Sequence, residues 1–371
     1  NEMRPGGVVS AEEMEARKAA HAAWDPASFV VPEMEGKKRF QEFDLPAEVL
    51  HGIADLGFQY CTEIQALSLQ NALDGKNVAG KAQTGSGKTA AFLVAILTRY
   101  LRTPENRAKQ GGAPRALVIA PTRELVIQIC KDADAIGKYC GLRSLAVYGG
   151  MDFDRQREEI LAAPVDLLVA TPGRLLDFCQ RRVVDLGKVD TLVIDEADRM
   201  LDMGFFDDVT KIIEKVKNRR NLGLFSATIS QEVMTVSWMY QRDEVEITVP
   251  ADTDNRPDIT QYSITCPPLE KIEMTSRLIR TLRLERPIVF CNTKVMCQRL
   301  RDDLVRMGLE ADCIHGDIPQ QKREKTMRTF KEGKLPILIA TDVASRGIDV
   351  DDVDCVINYD VPEENEYYIH R

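Results

Sequence analysis

Three carboxylates lie within four positions at the end of an apolar run, in the sequence LVIDEADRM (192–200). Asp195, Glu196 and Asp198 follow the apolar residues 192–194. Adjacent carboxylates repel each other, so a folded chain that gathers them beside a buried element usually uses them to hold a cation or to transfer a proton. The stretch therefore predicts a buried strand that ends in such a site.

A second segment, AQTGSGKT, supplies chemistry that needs a cation. A glycine-rich turn that leads into an apolar helix presents backbone N–H groups and the positive end of the helix dipole to phosphate. We expect Lys88 to reach the β- and γ-phosphates of a nucleoside triphosphate and Thr89 to bind Mg²⁺. Asp195 would hold the same ion, directly or through water, while Glu196 orients or deprotonates the attacking water. The two segments together predict hydrolysis of a nucleoside triphosphate.

The phosphate-binding segment departs from the usual pattern at one position. That pattern has glycine six positions before the lysine, where this chain has Ala82. The prediction stands because the GKT and the acidic strand end agree. The predicted nucleotide-binding residues of the segment are Ala82, Gln83, Thr84, Gly85, Ser86, Gly87, Lys88 and Thr89.

Length and composition place the chain among globular proteins. Its 371 residues exceed one ordinary core and fit two domains of typical size. Apolar residues make up 44% and charged residues 29%, which argues against a disordered chain. No apolar run approaches the roughly 20 residues that cross a bilayer, so we expect a soluble protein.

The cysteines indicate a reducing compartment. There are nine, an odd number, scattered along the chain without a CxxC pair. Such a set argues against a disulfide framework and against a zinc site, and the four histidines lie far apart in sequence. We therefore expect free thiols and a cytoplasmic location.

Net charge alone would discourage a nucleic-acid partner. The formal charge is −9, whereas phosphate backbones usually meet a basic surface. A local basic groove on an acidic protein is still compatible with these numbers. The chain begins at Asn1 without a signal-peptide pattern, so a fragment that has lost basic tails is one expectation.

Short β-branched runs alternate with longer helical patterns. The runs are 116–120, 167–170, 192–194 and 222–225, and then 288–291, 313–314, 337–340 and 355–357. Short continuous apolar strands between helices indicate parallel sheets covered on both faces. The two series predict an α/β protein with two sheet-containing domains.

A stretch rich in proline and aspartate, VPADTDNRPD at 249–258, separates the two series and is the expected linker. We therefore expect one domain at 39–248 and a second at 259–371. Residues 1–38 would form an N-terminal extension with a short helix over 11–24. This helix is either a packing element, which we favour, or a partner site.

Nearly every run ends in a polar signature. PTREL, TPGR, DEAD and SAT follow the first four runs, and NTK, HGD and TDVASRGID follow three runs of the second series. Ligands of open α/β sheets bind beyond the carboxyl ends of the strands. We therefore expect these motifs to share one edge of their sheet.

These motifs resemble those of the DEAD-box RNA helicases, from about Phe40 to the last residue. DEAD at 195–198 gives that family its name, and AQTGSGKT is its form of the phosphate-binding loop. The resemblance implies two tandem RecA-like domains, each with a parallel sheet flanked by helices. It also implies an RNA helicase that uses ATP and Mg²⁺ to unwind short duplexes locally or to remodel RNA–protein complexes. CTEIQ, CNTK and NYDVPEE are most similar to a bacterial branch that works beside RNA-degrading nucleases.

The segment GFQYCTEIQ at 57–65 resembles the adenine-reading segment of the family. By that resemblance Gln65 pairs with the N6 and N7 edge of adenine, since a carboxamide offers an acceptor and two donors, and Phe40 stacks on the ring. The family more often has proline where Cys61 and Glu63 stand. Because Gln65 is in place, we expect selection of ATP over GTP.

The remaining strand ends are implied to grip RNA. Their hydroxyls, guanidinium groups, glycines and helix N-termini suit phosphate and sugar, so we expect binding that is independent of sequence. In the first domain these residues are Pro121, Thr122, Arg123, Gly149, Gly150, Thr171, Pro172, Gly173 and Arg174. In the second they are Asn292, Thr293, Lys294, Gly316, Gln320, Arg323, Thr341 and Asp342.

Two further motifs are implied to serve the nucleotide. SAT resembles the family motif that couples nucleotide to duplex opening, and its hydroxyls could hydrogen-bond Asp198. It consists of Ser226, Ala227 and Thr228. In TDVASRGID, Gly347 and Asp349 are implied to face the nucleotide, with Asp349 near the ribose.

The final residues, YYIHR, match the opening of the family motif HRxGRxxR, of which only His370 and Arg371 are present. The other arginines of that motif would reach the γ-phosphate, and an arginine finger is worth roughly 10³ to 10⁵ in rate. We therefore expect the second sheet to be truncated at its C-terminal end. We also expect these residues alone to bind ATP but to hydrolyse it weakly.

Two other functions remain compatible with the motifs. One is an ATP-gated RNA clamp or scaffold within a larger RNA-processing assembly, which stable RNA retention without turnover would distinguish from duplex release. The other is a DNA helicase or another two-domain P-loop motor, which Gln65 and the DEAD tetrad disfavour. Stimulation of ATP hydrolysis by RNA and by DNA of matched sequence separates this last alternative.

Overall fold

The computed structural model of the chain describes residues 9–83, 85–250, 259–341, 350, 352–362 and 368, apart from the side chains at 231, 320, 321 and 324. The chain divides into two compact units, Asn1–Asn255 and Arg256–Arg371. The division falls within the stretch 249–258 that the sequence indicates as a linker, most of which lies outside the described residues.

A parallel sheet forms the centre of the first unit. Its seven strands within the described residues are β1 (Val78–Lys81), β2 (Ala116–Ile119), β3 (Ser144–Val147), β4 (Leu167–Ala170), β5 (Thr191–Ile194), β6 (Asn221–Ser226) and β7 (Val245–Thr248). They lie in the order β3-β4-β2-β5-β6-β1-β7, with every neighbouring pair parallel. On β2, Val118 packs into one core and Leu117 into the other. Both faces of the sheet are therefore buried, as the continuous apolar runs predict.

The first unit also contains helices, all but the first of which contribute residues to the two cores on the faces of this sheet. They are α1 (Ala11–Ala22), α2 (Ala47–Asp55), α3 (Glu63–Leu73), α4 (Lys88–Arg102), α5 (Arg123–Ile136), α6 (Phe153–Leu161), α7 (Pro172–Gln180), α8 (Ala197–Asp202), α9 (Phe206–Lys215) and α10 (Gln231–Tyr240). Apolar residues of α4 and α5, such as Phe92 and Ile129, fill one core. Residues of α7 and α9, such as Leu175 and Ile212, fill the other.

The second unit repeats this plan on a smaller scale. Its strands are β8 (Pro287–Cys291), β9 (Ala311–Ile314), β10 (Ile337–Thr341) and β11 (Cys355–Asn358), and its described helices are α11 (Lys271–Thr281), α12 (Lys294–Arg306) and α13 (Gln320–Lys331). The strand order is β11-β8-β10-β9, and all pairs are parallel. Neighbouring residues of β8 again enter opposite cores, Val289 one and Phe290 the other.

All eight runs predicted from the sequence form strands, whereas β1, β3 and β7 were not predicted. β1 reads VAGK and β3 reads SLAV, so each has only one β-branched residue. β7 lies at the edge of the sheet and reads VEIT, with Ile247 its one buried residue. Sheet pairing, rather than local propensity, therefore makes these segments strands.

The N-terminal helix lies on the first unit through ring contacts rather than through a buried face. No residue of α1 is buried. The Trp24 ring stacks on His51 with centroids 4.4 Å apart, and His51 stacks on Tyr139 at 3.7 Å. The Nδ1 atoms of His21 and His51 lie 3.1 Å apart. These contacts support the packing role that the sequence analysis favours.

Candidate active site

The strand order sorts the polar motifs of the first unit into two neighbouring groups. Residues 195–198, 226–228 and 82–89 follow the adjacent strands β5, β6 and β1, and we call them the nucleotide half after the ligand predicted for them. Residues 148–151, 171–174 and 121–125 follow β3, β4 and β2, and we call them the RNA half after the ligand that the resemblance implies for them. Because the strands are parallel, both halves lie on the carboxyl edge of one sheet, as predicted.

The phosphate-binding segment holds a buried ammonium group at the start of α4. Lys88 is 6% exposed, and its Nζ donates to the carbonyls of Ala82 and Gln83 at 2.5 and 2.8 Å. Ser86 Oγ is buried without a partner among the described residues. Gly87 has a φ of +89°, and a Cβ there would come within 2.5 Å of Gln65 Nε2, so the position requires glycine. This donor set at a helix N-terminus fits phosphate oxygens.

The two central charges of the nucleotide half are poorly solvated. Asp195 is 2% exposed, and burial, with the charge of Glu196, raises its pKa to about 7 although Lys88 opposes the shift. Burial likewise lowers the pKa of Lys88 against the pull of Asp195, Glu196 and Asp198. Desolvation therefore outweighs mutual attraction at both groups. A divalent cation beside Asp195 would relieve this cost.

Glu196 adopts a backbone conformation that is rare for its residue type. Its φ of 48° and ψ of 52° lie in the left-handed region, which costs a non-glycine residue about 1 kcal/mol or more. Its N–H donates to Asp195 Oδ1 at 3.0 Å, and its Oε2 pairs with Arg199 Nη1 at 2.6 Å. These contacts fix the direction in which the carboxylate points.

Hydrogen bonds connect the acidic motif to SAT. The N–H and Oγ1 of Thr228 both donate to Asp198 Oδ2 at 2.7 Å, and Ser226 Oγ accepts from the Asp198 N–H at 3.1 Å. The Ala82 N–H donates to the Ser226 carbonyl at 3.0 Å. The contact of the SAT hydroxyls with Asp198 is confirmed, and the phosphate-binding segment joins the same network.

The two residues predicted to contact adenine are occupied by the protein itself. Gln65 Oε1 accepts from the Thr62 N–H at 2.9 Å, and its Nε2 donates to the Gly87 carbonyl at 3.0 Å. Phe40 is 1% exposed because its ring fills the core that contains Ile64. The stacking predicted for Phe40 therefore has no free ring face in this structure. The contact with Gln65 requires an exchange of hydrogen bonds.

In the RNA half, Arg123 lies against the loop that follows β3. Its guanidinium group is 5.2 Å from the centroid of the Tyr148 ring. Gly150 has a φ of +81°, and a Cβ there would overlap that guanidinium group, so glycine is required. Thr122 caps α5 by accepting from the Leu125 N–H at 3.3 Å. The predicted residues at 121–123 and 149–150 are thus brought together.

The residues after β4 are also placed at this edge, but Arg174 is engaged with the protein. Thr171 is the N-cap of α7, Pro172 is its first residue, and Gly173 is exposed. Arg174 donates to the side chain of Gln156 and to a backbone carbonyl. Gln156 escapes prediction from the sequence, because a lone glutamine within a charged helix carries no signal.

The second unit brings its predicted residues to the carboxyl ends of its own strands. Thr293 caps α12 by accepting from the Met296 N–H at 3.2 Å, and Asn292 Nδ2 donates to the Val361 carbonyl at 3.0 Å. Lys294 Nζ pairs with Asp317 Oδ2 at 2.6 Å. The other placed residues are Gly316 after β9, Arg323 on α13 and Thr341 at the end of β10.

Several predicted residues lie outside this description. They are Thr84, Asp342, Gly347, Asp349, His370, Arg371 and the side chain of Gln320. All nine cysteines are free thiols. In the ranges that the structure covers, no cluster of three or more His, Cys, Asp or Glu side chains is arranged to hold a metal ion. Within the same ranges, no helix combines the length and apolarity needed to span a bilayer.

Two family models match the chain. Residues 62–236 match DEAD/DEAH box helicase, and residues 270–371 match the helicase conserved C-terminal domain. The chain is 45% identical to the ATP-dependent RNA helicase RhlB of Pseudomonas putida over 92% of its length and 86% of that protein. It is 46% identical to RhlB of Pseudomonas syringae over 91% of its length and 85% of that protein.

Solved structures agree with these matches. Yeast Dbp5 bound to RNA and ADP BeF3 has a TM-score of 0.77 and 31% identity, over 90% of this chain and 85% of that one. A DEAD box protein of Methanococcus jannaschii has a TM-score of 0.53 and 36% identity, over 90% and 88% of the two chains. The two units are RecA-like domains, as expected. The chain belongs to the DEAD-box family of ATP-dependent RNA helicases and is similar to the bacterial RhlB proteins of that family.

Proposed function

We propose that the nucleotide half binds ATP with Mg²⁺ and that the RNA half grips the backbone of single-stranded RNA or of short duplexes without sequence preference. ATP hydrolysis would drive local unwinding or the remodelling of RNA–protein complexes. The observation that carries the proposal is that two desolvated charges, Lys88 at the start of α4 and Asp195 at the end of β5, lie on the carboxyl edge of one sheet. Buried opposite charges that each lose by desolvation suit a charged ligand and its cation.

Each residue of the nucleotide half has a distinct task in this proposal. Lys88 would exchange the carbonyls of residues 82 and 83 for phosphate oxygens, which are stronger, charged acceptors. Thr89 and Asp195 would hold Mg²⁺, which supplies charge stabilisation at the phosphates when bound. Glu196, held by its backbone and by Arg199, would orient the attacking water or accept its proton.

Base selection would come from Gln65. In this structure its carboxamide bridges the Thr62 N–H and the Gly87 carbonyl, so it contacts the phosphate-binding segment directly. Adenine offers a donor at N6 and an acceptor at N7, which the same amide can match. Guanine presents an acceptor at the equivalent position of its six-membered ring, so ATP is preferred.

The RNA half supports binding without sequence readout. Its groups are an arginine, helix N-termini and exposed glycine backbone, which suit phosphate and sugar. In the second unit, residues 292–294, 316, 320, 323, 341 and 342 would add contacts of the same kind. The carboxyl edge of the sheet offers few aromatic faces for base stacking. The affinity for RNA should therefore depend on salt concentration more than on base sequence.

RNA-stimulated ATP hydrolysis by Glu196→Gln tests the proposal, measured in a chain extended through the arginine motif HRxGRxxR. We expect turnover to fall by about 10² or more, since the carboxamide keeps the size of the side chain but cannot accept the proton of water. Glu158→Gln, at an exposed site on α6, is the matched control. Undiminished turnover in Glu196→Gln, or equal stimulation by DNA of matched sequence, would contradict the proposal.

We further propose RNA-processing proteins, including nucleases, as partners, and a cytoplasmic location. The similarity to RhlB proteins supports the first. The nine free thiols support the second, because such thiols persist in reducing compartments. Co-purification of a nuclease with the tagged protein from its own cells, before and after RNase treatment, tests whether a partner binds without RNA.

A further inference from the structure

Gln156 belongs to none of the motifs above, yet it connects two of them. It is 3% exposed on α6. Its Nε2 donates to the Tyr148 carbonyl at 3.1 Å, and its Oε1 accepts from Arg174 Nη1 at 3.1 Å. The amide therefore links the loop that follows β3 to the helix that follows β4.

Arg174 completes the connection. Its Nη2 donates to the Met151 carbonyl at 3.1 Å. Its guanidinium carbon lies 5.9 Å from the centroid of the Phe153 ring and 5.8 Å from that of Phe178. Both terminal nitrogens thus donate to acceptors of the protein, beside two aromatic rings. A guanidinium group bound in this way is held in place mainly by the directions of its N–H groups and less by its positive charge.

The loop at 148–151 is thereby fixed at both ends. Gln156 holds the carbonyl of residue 148, and Arg174 holds that of residue 151. Between them, Gly150 rests against the guanidinium of Arg123. A Cβ on Gly149 would meet no atom within 4 Å, so the backbone of this residue is open to a ligand.

We propose that Gln156 and Arg174 form a brace that holds the loop 148–151 in the shape that contacts the RNA backbone. This inference rests on the proposed function and changes one role within it. Arg174 becomes a positioning residue instead of a phosphate contact. A preorganised loop loses less conformational freedom on binding, so the brace raises RNA affinity without touching RNA.

Salt dependence separates a brace from a phosphate contact. Losing a phosphate contact reduces the slope of log K against log salt by about 0.7 for a single strand. Losing a brace weakens binding but leaves the number of displaced counterions unchanged. We therefore expect Arg174→Ala to weaken binding of single-stranded RNA about tenfold with the slope preserved, as loss of buried hydrogen bonds predicts.

Arg174→Lys sharpens this test. Lysine keeps the positive charge but cannot donate to both acceptors with the guanidinium geometry. The brace predicts that Arg174→Lys binds RNA as weakly as Arg174→Ala. Recovery of parent affinity in Arg174→Lys, or a slope lowered by about 0.7 in Arg174→Ala, would overturn it.

Gln156 gives an independent arm. Gln156→Ala should weaken RNA binding about as much as Arg174→Ala, and the double variant should be no weaker than either, because both break one unit. Gln128→Ala removes an exposed glutamine bonded to Asp132 and should bind like the parent. Parent-like binding by Gln156→Ala, or additive losses in the double variant, would refute the brace.

A folding control keeps the outcome interpretable. Gln156→Glu preserves the side-chain volume and an acceptor for Arg174 but cannot donate to the Tyr148 carbonyl. We expect it to fold, by circular dichroism, and to bind RNA about as weakly as Gln156→Ala. Parent-like affinity in this variant would contradict the brace, whereas a parent protein that binds no RNA would contradict the proposed function itself.

Discussion

The two halves of the carboxyl edge of the first sheet differ in how far their polar side chains are exposed to water. In the nucleotide half, Lys88, Asp195 and Ser226 are 6%, 2% and 0% exposed, and Ser226 is hydrogen-bonded to both Ala82 and Asp198. In the RNA half, Arg123 and Arg174 are half-buried and lie beside aromatic rings. The same strand-end architecture thus provides one site that excludes water and one that stays open.

The difference teaches how each half meets its ligand. In the nucleotide half, desolvation lowers the pKa of Lys88 and raises that of Asp195. The charged form of each group therefore costs free energy in the folded protein. We expect a charged ligand with its cation to recover that free energy. In the RNA half, Arg174 is already hydrogen-bonded to the protein, so we expect affinity there to depend on the shape of the loop and on exposed phosphate contacts.

Removal of the Lys88 side chain should produce the largest difference between the two halves. We expect Lys88→Ala to weaken ATP binding by about a hundredfold or more, because a buried charge-assisted contact with two phosphates is lost. Binding of single-stranded RNA without nucleotide should stay within about twofold. Calorimetric titration with ATP and fluorescence anisotropy with RNA measure the two. A comparable loss in both assays would mean that the halves are not separate.

Because the ionised form of Asp195 is disfavoured by burial, we expect Asp195→Asn to stabilise the nucleotide-free protein. Burial raises the folded-state pKa of Asp195 to about 7, above its ordinary value of 3.8. Its unfavourable ionisation therefore lowers stability as pH rises from about 4 through 7. We expect a gain on the order of 2 kcal/mol in unfolding free energy at pH 8 that vanishes toward pH 4. Urea denaturation at both pH values checks this.

The Asp195→Asn result has a clear control. Asn keeps an oxygen that can accept from the Glu196 N–H, so the turn should be preserved. Asp207→Asn, at an exposed site in the first turn of α9, should show no comparable dependence on pH. A loss of stability in Asp195→Asn at pH 8 would show that the carboxylate stabilises the empty site.

In the RNA half, Arg123→Ala should weaken RNA binding and leave ATP binding unchanged, which is the reverse of what we expect for Lys88→Ala. We expect about tenfold weaker binding of single-stranded RNA and a salt slope smaller by about 0.7, with ATP affinity unchanged. Lys131→Ala, exposed two turns further along α5, is the matched control. An unaltered slope would mean that Arg123 also acts by positioning the loop.

The smallest effect is expected where SAT meets the acidic motif. Thr228→Val removes the Oγ1 bond to Asp198 but keeps the backbone bond, so stability should fall by about 1 kcal/mol. Thr210→Val, which loses an exposed bond within α9, is the control. We expect duplex unwinding to slow more than ATP hydrolysis. Equal slowing of both would argue against a coupling role.

Much of this architecture is predictable from the sequence because strand ends carry the chemistry. The apolar runs located eight strands, and the motifs that follow them fixed the carboxyl edge. The strands β1, β3 and β7 escaped prediction because pairing with neighbours, rather than composition, creates them. The contact of SAT with Asp198 was predictable only through the resemblance to the family motif, whose hydroxyls could reach that carboxylate.

Other features depend on three-dimensional packing and were out of reach. Phe40 carries no local sign that its ring is enclosed, and its burial is set by residues such as Ile64. Gln156 is 18 positions away from Arg174, so no spacing rule joins them. The left-handed backbone of Glu196 is also invisible in the sequence, since glutamate has no preference for it.

Hydrogen exchange read by mass spectrometry tests the division of the sheet edge most directly. The protein would be labelled alone, with ATP and Mg²⁺ under conditions of slow turnover, and with single-stranded RNA. We predict that ATP protects residues 82–89 and 195–198, while RNA without nucleotide protects 121–125, 148–151 and 171–174. Protection of the same segments by both ligands, or RNA protection confined to 82–89, would contradict the account.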